Sequence, residues 1–331
     1  MRGFWCGLLL LIAGLTPAHA EAIKIGIVRT LAVGPVFIAQ EKGYFAAEGL
    51  QSELVIFEAA QPIAVAAASG GIDFGVTGIS VGLYNLASQG TLRIISGGSA
   101  EAPGFKNGGF PASNRAYAAG LHSVKDLAGH SVAVTQIGSM LHYLTGRIAE
   151  KYGFDIKTVR ILAMQSNSNV SSALTGGQVD AACFPVTPTM VLVRKGDAKV
   201  LAWSGDETPG VQTNAMFTST KTANERGGLV KRFLRAYVKG ARDYHDAFIG
   251  AGEKRVDGPT AATTLALLAK ATGQPPKEIA EAIPYFDGAA RLDVEDIQHQ
   301  IAWFSAQGLL KGQVDGTELI DKRYAVALPK R

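Results

Sequence analysis

Cysteine is nearly missing from this chain: 331 residues contain two, Cys6 and Cys183. The first lies in a stretch that reads as an export signal, so one thiol remains afterwards. That excludes an internal disulfide and a paired-cysteine redox or zinc site. Charge of one sign is lacking too, with 32 Lys+Arg against 28 Asp+Glu and a net charge of +4. The basic residues are scattered, the tightest group being Lys231, Arg232 and Arg235, which leaves nucleic acid no stripe to bind. Beyond the N-terminus no apolar run reaches membrane-spanning length without charges or turn residues. The signatures G-x-x-x-x-G-K-[ST], H-E-x-x-H, C-x-x-C and G-x-G-x-x-G do not occur. No cofactor and no metal are expected.

What is present is apolar material for two cores, 47% hydrophobic against 18% charged residues. Arg2, the apolar stretch Leu8 to Leu15 and Ala18-His19-Ala20 form a cleavable signal, cut after Ala20. Cys6 lacks the small residues of a lipoprotein box before it. The expected product begins at Glu21, carries no lipid anchor and resides in a periplasm.

From there strand and helix patterns alternate. Ile23–Val28, Leu54–Phe57, Ile72–Val76 and Leu92–Ser96 read as strands, with helices over Val36–Ala47, Ile63–Ser69 and Ile79–Ser88 between them. Gly97 to Pro111 breaks the rhythm as a linker. Alternation resumes with strands at Ser131–Thr135, Thr158–Leu162, Asp180–Phe184 and Lys199–Trp203, and Gly205 to Thr213 is a second loose stretch. The remainder reads as helical, over Leu229–Phe248, Thr260–Ala271, Pro276–Ala282 and Val294–Gln307. This pattern predicts an α/β protein of two lobes, each a mostly parallel sheet flanked by helices, with a cleft and a hinge between them. Residues 21–100 and 210–331 make lobe I with the C-terminal helices packed on it; residues 101–209 make lobe II.

In such sheets ligands sit beyond the carboxyl ends of the strands, where helix starts present free N–H groups. Those turns carry Arg29, Thr30 and Leu31, then Gln61, then Thr77, Gly78 and Ser80, and in the second lobe Ser139 and Thr187. Glycine and small hydroxyl residues there suit an anion held by backbone dipoles, although they also suit ordinary capping. Arg29 adds a cation for a carboxylate or sulfonate, and His142 stands one helical turn after Ser139. Leu31, Val33, Tyr84 and Phe184 suggest an apolar wall. Gly78-Ile79-Ser80-Val81-Gly82 matches G-x-S-x-G between a strand and a helix, the context of a hydrolase nucleophile, so a serine hydrolase using Ser80 is the alternative. Few strands precede that serine, and no histidine stands in a recognisable late loop after an acidic partner.

Ile25-Gly26-Ile27, Val36-Phe37-Ile38-Ala39-Gln40-Glu41-Lys42-Gly43-Tyr44-Phe45, Ala68-Ser69-Gly70-Gly71-Ile72-Asp73-Phe74-Gly75 and Ser123-Val124-Lys125-Asp126-Leu127-Ala128-Gly129 together resemble periplasmic solute-binding proteins of the aliphatic-sulfonate, nitrate, taurine and thiamine-precursor group. Gly176-Gly177-Gln178-Val179-Asp180-Ala181 continues the similarity, which covers most of residues 22 to 205. The resemblance implies the bilobed type II binding-protein fold, no catalysis, and delivery of a small organic anion to an ABC-type permease by a monomer. It implies ligand contacts at Thr30, Leu31, Gln61, Thr77, Ser80, Ser139 and His142. An aromatic carboxylate or a sulfonate is the favoured solute.

Overall fold

The first strand, Glu21–Ile27, buries Ile23, Ile25 and Ile27 to 1% exposure or less, as an alternating β-branched run must when it lies inside a sheet. The computed structural model describes residues 20–329. Apart from Ala20, the export-signal reading falls outside them.

That strand pairs in parallel with Leu50–Ile56 on one side and Phe74–Gly78 on the other. Helices Gly34–Glu41 and Ala60–Ala68 make the crossovers. The helix expected over Val36–Ala47 is two helices, because Gly43 takes a left-handed φ of 71° and ends the first. The five-stranded sheet is completed by Asn214–Ser219, antiparallel to both Phe74–Gly78 and Leu92–Gly97. The sequence shows no strand at Asn214–Ser219, since residues buried on both faces leave no alternation to read.

Gly108–Ser113, whose first four residues lie in the stretch expected as a linker, is a strand near the middle of the second, six-stranded sheet. It runs antiparallel to Phe184–Pro185, Ala181–Ala182 and Ala198–Trp203. Glycine is needed at 109 because the Trp203 ring leaves no room for a Cβ, which would sit 2.8 Å from it. Pro111 is tolerated opposite Val200, where the ladder shifts register between Val200 and Ala202. Ser131–Val134 pairs in parallel with Arg160–Ala163 and Ala181–Ala182. Each of the two large sheets is therefore mostly parallel, as expected, with one antiparallel strand where the chain crosses between lobes: Asn214–Ser219 in the first and Gly108–Ser113 in the second.

Helix Gly227–Phe248 turns Leu229, Val230, Phe233, Ala236, Tyr237, Ala241 and Tyr244 inward at helical spacing and packs on Gly34–Glu41. Phe233 stacks on Phe74 with ring centroids 3.8 Å apart. The C-terminal helices were expected on lobe I. Helix Val294–Ala306 packs there through Gln300 and Phe304 against Tyr84, and it also reaches helix Met140–Tyr152 of the second lobe, where Trp303 lies edge-on to His142 and Tyr143. It is anchored back on the returning crossover through Asp296, which accepts from the Gln212 N–H at 2.7 Å and from Gln300 Nε2 at 2.6 Å. Among the described residues no helix is long and apolar enough to cross a membrane.

Candidate functional site

Between the sheets, at the carboxyl ends of their parallel strands, the chain leaves a cavity of about 100 Å³. A water needs roughly 10–15 Å³ on this measure, so the space suits a small molecule of several heavy atoms. The first lobe contributes Val28, Thr30, Val33, Ala60, Thr77 and Gly78 to the wall. The second contributes Thr135, Ser139, Met140, Leu144, Asn167 and Pro185. The crossing segments close it with Glu101, Asn107, Thr213 and Asn214.

Helix starts converge there. The helices Gly34–Glu41, Ala60–Ala68 and Val186–Lys195 begin at Val33, Ala59 and Pro185, which offer no side-chain cap; the Gly34, Gln61 and Val186 N–H groups donate to the Leu31 carbonyl, Gln136 Oε1 and the Asn107 carbonyl, and Pro35, Pro62 and Pro188 have no N–H, so few first-turn donors remain. Ser139 caps Met140–Tyr152 by accepting the His142 N–H at 3.4 Å. Together these ends place partial positive charge around the cavity. No lysine, arginine or histidine stands among the described lining residues. Two carboxyl groups do: Glu58, which is exposed, and Glu101, only 2% exposed. Burial pushes Glu101 up to about 8, with Asp206 adding repulsion and Ser204 and Asn107 pulling the other way.

Beside the cavity the lobes are latched. Gln61 Nε2 donates to the Ile137 carbonyl at 2.9 Å, and the Val81 N–H donates to the Gly138 carbonyl at 2.8 Å. Gly138 has φ of 74°, and a Cβ there would lie 2.7 Å from Val81 Cγ2, so the contact requires glycine. His142 sits under this latch, its Nδ1 accepting the Gly138 N–H at 3.2 Å. Burial lowers its pKa to about 4. A histidine depressed from 6.5 releases its proton on folding, so its contribution is intact above pH 6.5 and lost as pH falls toward 4. Against His142→Gln, the native chain is expected to lose on the order of 3 kcal/mol more stability between pH 7 and pH 4. Urea titrations at both pH values check this; equal losses would refute it.

The expected site residues separate into two groups. Thr30, Thr77, Gly78 and Ser139 line the cavity together. The others do not. Arg29 is exposed and faces a different depression with Phe37, Glu41 and Ala271, because the chain turns at Thr30 and alternation sends Arg29 to the outer side. Leu31 and Phe184 are core side chains, as is Tyr84, whose hydroxyl donates to Gln300. Gln61 serves the latch and His142 supports it. Thr187 is half-buried, with an unpartnered Oγ1, outside the lining. Ser80 is 1% exposed and its Oγ accepts the Leu83 N–H at 3.3 Å. Its backbone is extended, at φ −149° and ψ 160°, and among the described residues no histidine contacts the hydroxyl, so G-x-S-x-G here is a helix cap. Glu101, Asn107, Thr213 and Asn214 escaped the sequence reading because they lie in its loose stretches or just after. The one available signal is that Glu101 is the sole acidic residue between Gly97 and Pro111.

Comparison with known proteins fits this geometry. The family model described as NMT1/THI5 like matches residues 112–247, and that of the NMT1-like family matches residues 16–159. A sequence search found no match among curated proteins. The alkanesulfonate-binding protein SsuA from Xanthomonas axonopodis pv. citri, bound to MOPS, superposes with a TM-score of 0.73 at 22% identity, over 91% of this chain and 98% of its own. The periplasmic aliphatic sulphonate binding protein SsuA from Escherichia coli gives 0.69 at 19% identity, over 94% of each chain. The periplasmic nitrate-binding protein NrtA from Synechocystis PCC 6803 gives 0.70 at 15% identity, over 92% of this chain and 86% of its own. The two family matches run from residue 16 to residue 247 between them, so the chain is similar to the NMT1/THI5-like and NMT1-like families over these stretches and has the two-lobed periplasmic binding-protein fold.

Proposed function

We propose that this chain is the exported solute-capturing component of an ABC-type importer, released by cleavage after Ala20 and acting as a monomer. It takes a small organic anion between its lobes and passes it chemically unchanged to a membrane permease. The observation that carries this reading is an interlobe cavity ringed by helix starts and neutral donors. The fold neighbours described as sulfonate- and nitrate-binding proteins support it.

Neutral donors suffice energetically. Each hydrogen bond to a charged oxygen contributes about 1.5–3 kcal/mol, and micromolar affinity needs about 8 kcal/mol in total. The Thr30, Thr77 and Ser139 hydroxyls at the cavity wall supply such donors. Val28, Val33, Met140 and Leu144 form an apolar side, which favours a short alkyl group beside the oxyanion over bare nitrate. No aromatic ring lines the cavity among the described residues, so stacking on an aromatic carboxylate has no partner. A short-chain sulfonate is the solute class proposed. The lobes open about the crossing segments 98–107 and 204–213.

Calorimetry with methanesulfonate, ethanesulfonate, nitrate and benzoate tests this. Ethanesulfonate is expected to bind at micromolar concentration and to be recovered intact. If none of the panel binds or raises the unfolding temperature, the reading fails. Arg29→Ala is expected to leave ethanesulfonate affinity within about twofold, since a surface charge outside the cavity acts only through screened attraction. A tenfold loss in the same titration would place Arg29 at the ligand after all.

A further inference from the structure

Glu101 lines the cavity, is 2% exposed, and its Oε2 has no hydrogen-bond partner, the nearby Ser204 hydroxyl donating to the Gly108 carbonyl at 2.7 Å instead. Its other oxygen, Oε1, accepts from Asn107 Nδ2 at 3.4 Å, and Asn107 is itself tied to Thr213 Oγ1 at 2.6 Å. The main chain is fixed on both sides: the Glu101 N–H donates to the Val211 carbonyl at 2.8 Å, and its own carbonyl accepts from the Gly210 N–H at 2.8 Å. The carboxyl is therefore held rigidly between the crossing segments. A buried oxygen with spare capacity is costly unless something fills it, and no cationic side chain lines the cavity with it.

We propose that Glu101 is a ligand-contacting residue that binds the solute in its protonated form, donating Oε2–H to an oxyanion oxygen, so that each anion captured in alkaline solution brings one proton with it. This deepens the anion-binding reading and rests on it. An ionised carboxylate at that position would repel the anion in a setting where no arginine or lysine could compensate. A carboxylic acid is instead a strong donor to an anionic oxygen. Burial raises the group to about 8, which keeps it protonated at neutral pH before any ligand arrives. A bound anion stabilises the proton further.

The charged and titratable groups around it are few. Asp206 faces it from the turn after the last strand of the second sheet and disfavours its ionisation. Cys183, buried behind it, has its thiol pushed far up by burial and by Glu101 itself. Glu58 shares the cavity wall but is exposed. Lys106 is turned away, its Nζ 4.8 Å from the centre of the Trp203 ring.

The test is calorimetric titration with ethanesulfonate, which stays anionic throughout, from pH 6 to pH 9.5. Affinity is expected to be flat up to pH 7 and then to weaken, by about thirtyfold at pH 9.5 for a donor that titrates near 8. Titrations above pH 8.5 in buffers of different ionisation enthalpy should report uptake of nearly one proton. Glu101→Gln keeps an uncharged N–H donor and is expected to bind with no pH dependence, while Glu53→Gln, an exposed carboxylate outside the cavity wall, follows the native curve. Affinity equal at pH 6 and pH 9.5 in the native chain would overturn the proton coupling and leave anion binding standing. Affinity that rises with pH would overturn it too, by showing that the carboxylate attracts a cationic group. Absence of binding at pH 6 by every anion of the panel would overturn both readings. The native pH curve decides the matter even if Glu101→Gln fails to fold.

Discussion

Gly78→Phe is expected to weaken ethanesulfonate binding roughly a hundredfold or more, about 2.7 kcal/mol, with the unfolding temperature within a few degrees of the native value. Gly78 ends the strand Phe74–Gly78, pairs with Asn214 and faces the cavity. A Cβ there would lie 3.8 Å from Met140 Cβ on the opposite lobe, which is ordinary contact. Gly78→Ala is thus nearly neutral and serves as the control. A phenyl ring has only two places to go. It fills the space meant for the ligand, or it displaces the Met140 helix start and holds the lobes apart; either outcome removes converging donors from the solute. Because the residue stands at the cleft and not in the core behind it, the fold tolerates the ring by opening. Calorimetry and thermal unfolding read the two effects separately. Native-like affinity in Gly78→Phe would mean that the solute binds elsewhere.

Trp303→Ala is expected to cost about 3–5 kcal/mol, the range for truncating a large buried aromatic side chain. Trp303 is 6% exposed and ties helix Val294–Ala306 to the second lobe. Its ring centroid lies 5.5 Å from that of Tyr143 and 5.2 Å from that of Phe304, both tilted edge-on. Gly146 makes the approach possible: a Cβ on it would sit 2.1 Å from Trp303 Cζ2. Gly146→Val therefore evicts the indole and is expected to show a loss similar to Trp303→Ala. For a chain of this size the loss corresponds to a fall in Tm of roughly 5–8 °C. The double variant Gly146→Val with Trp303→Ala should lose less than the sum, since both changes remove the same contact. Strict additivity would show that the two residues act independently.

Much of the layout could be read from the residues in order. The apolar run Ile23 to Val28, Pro35 at a helix start, and the Thr77-Gly78 turn before a helix all describe local preferences, and local preferences need no tertiary context. Ser123, Ser139 and Ser80 as helix caps belong with them; each accepts the expected backbone N–H. Gly108–Ser113 and Asn214–Ser219 were hidden for a common reason. Their glycines, proline and uninterrupted burial carry no period, so only pairing with distant strands makes them strands.

The site divides along the same line. The sequence determined that strand ends and helix starts would cluster, and with them Thr30, Thr77, Gly78 and Ser139, because β-α alternation places every such turn on one edge of a sheet. Only the tertiary structure decided which side chains at those turns look inward. It turned Arg29 outward, consumed Gln61 in the latch, sank Tyr84 and Phe184 into cores, and brought Glu101 and Thr213 together across more than a hundred residues of chain. Side-chain direction at a loop depends on the neighbour it meets, and those neighbours come from the other lobe.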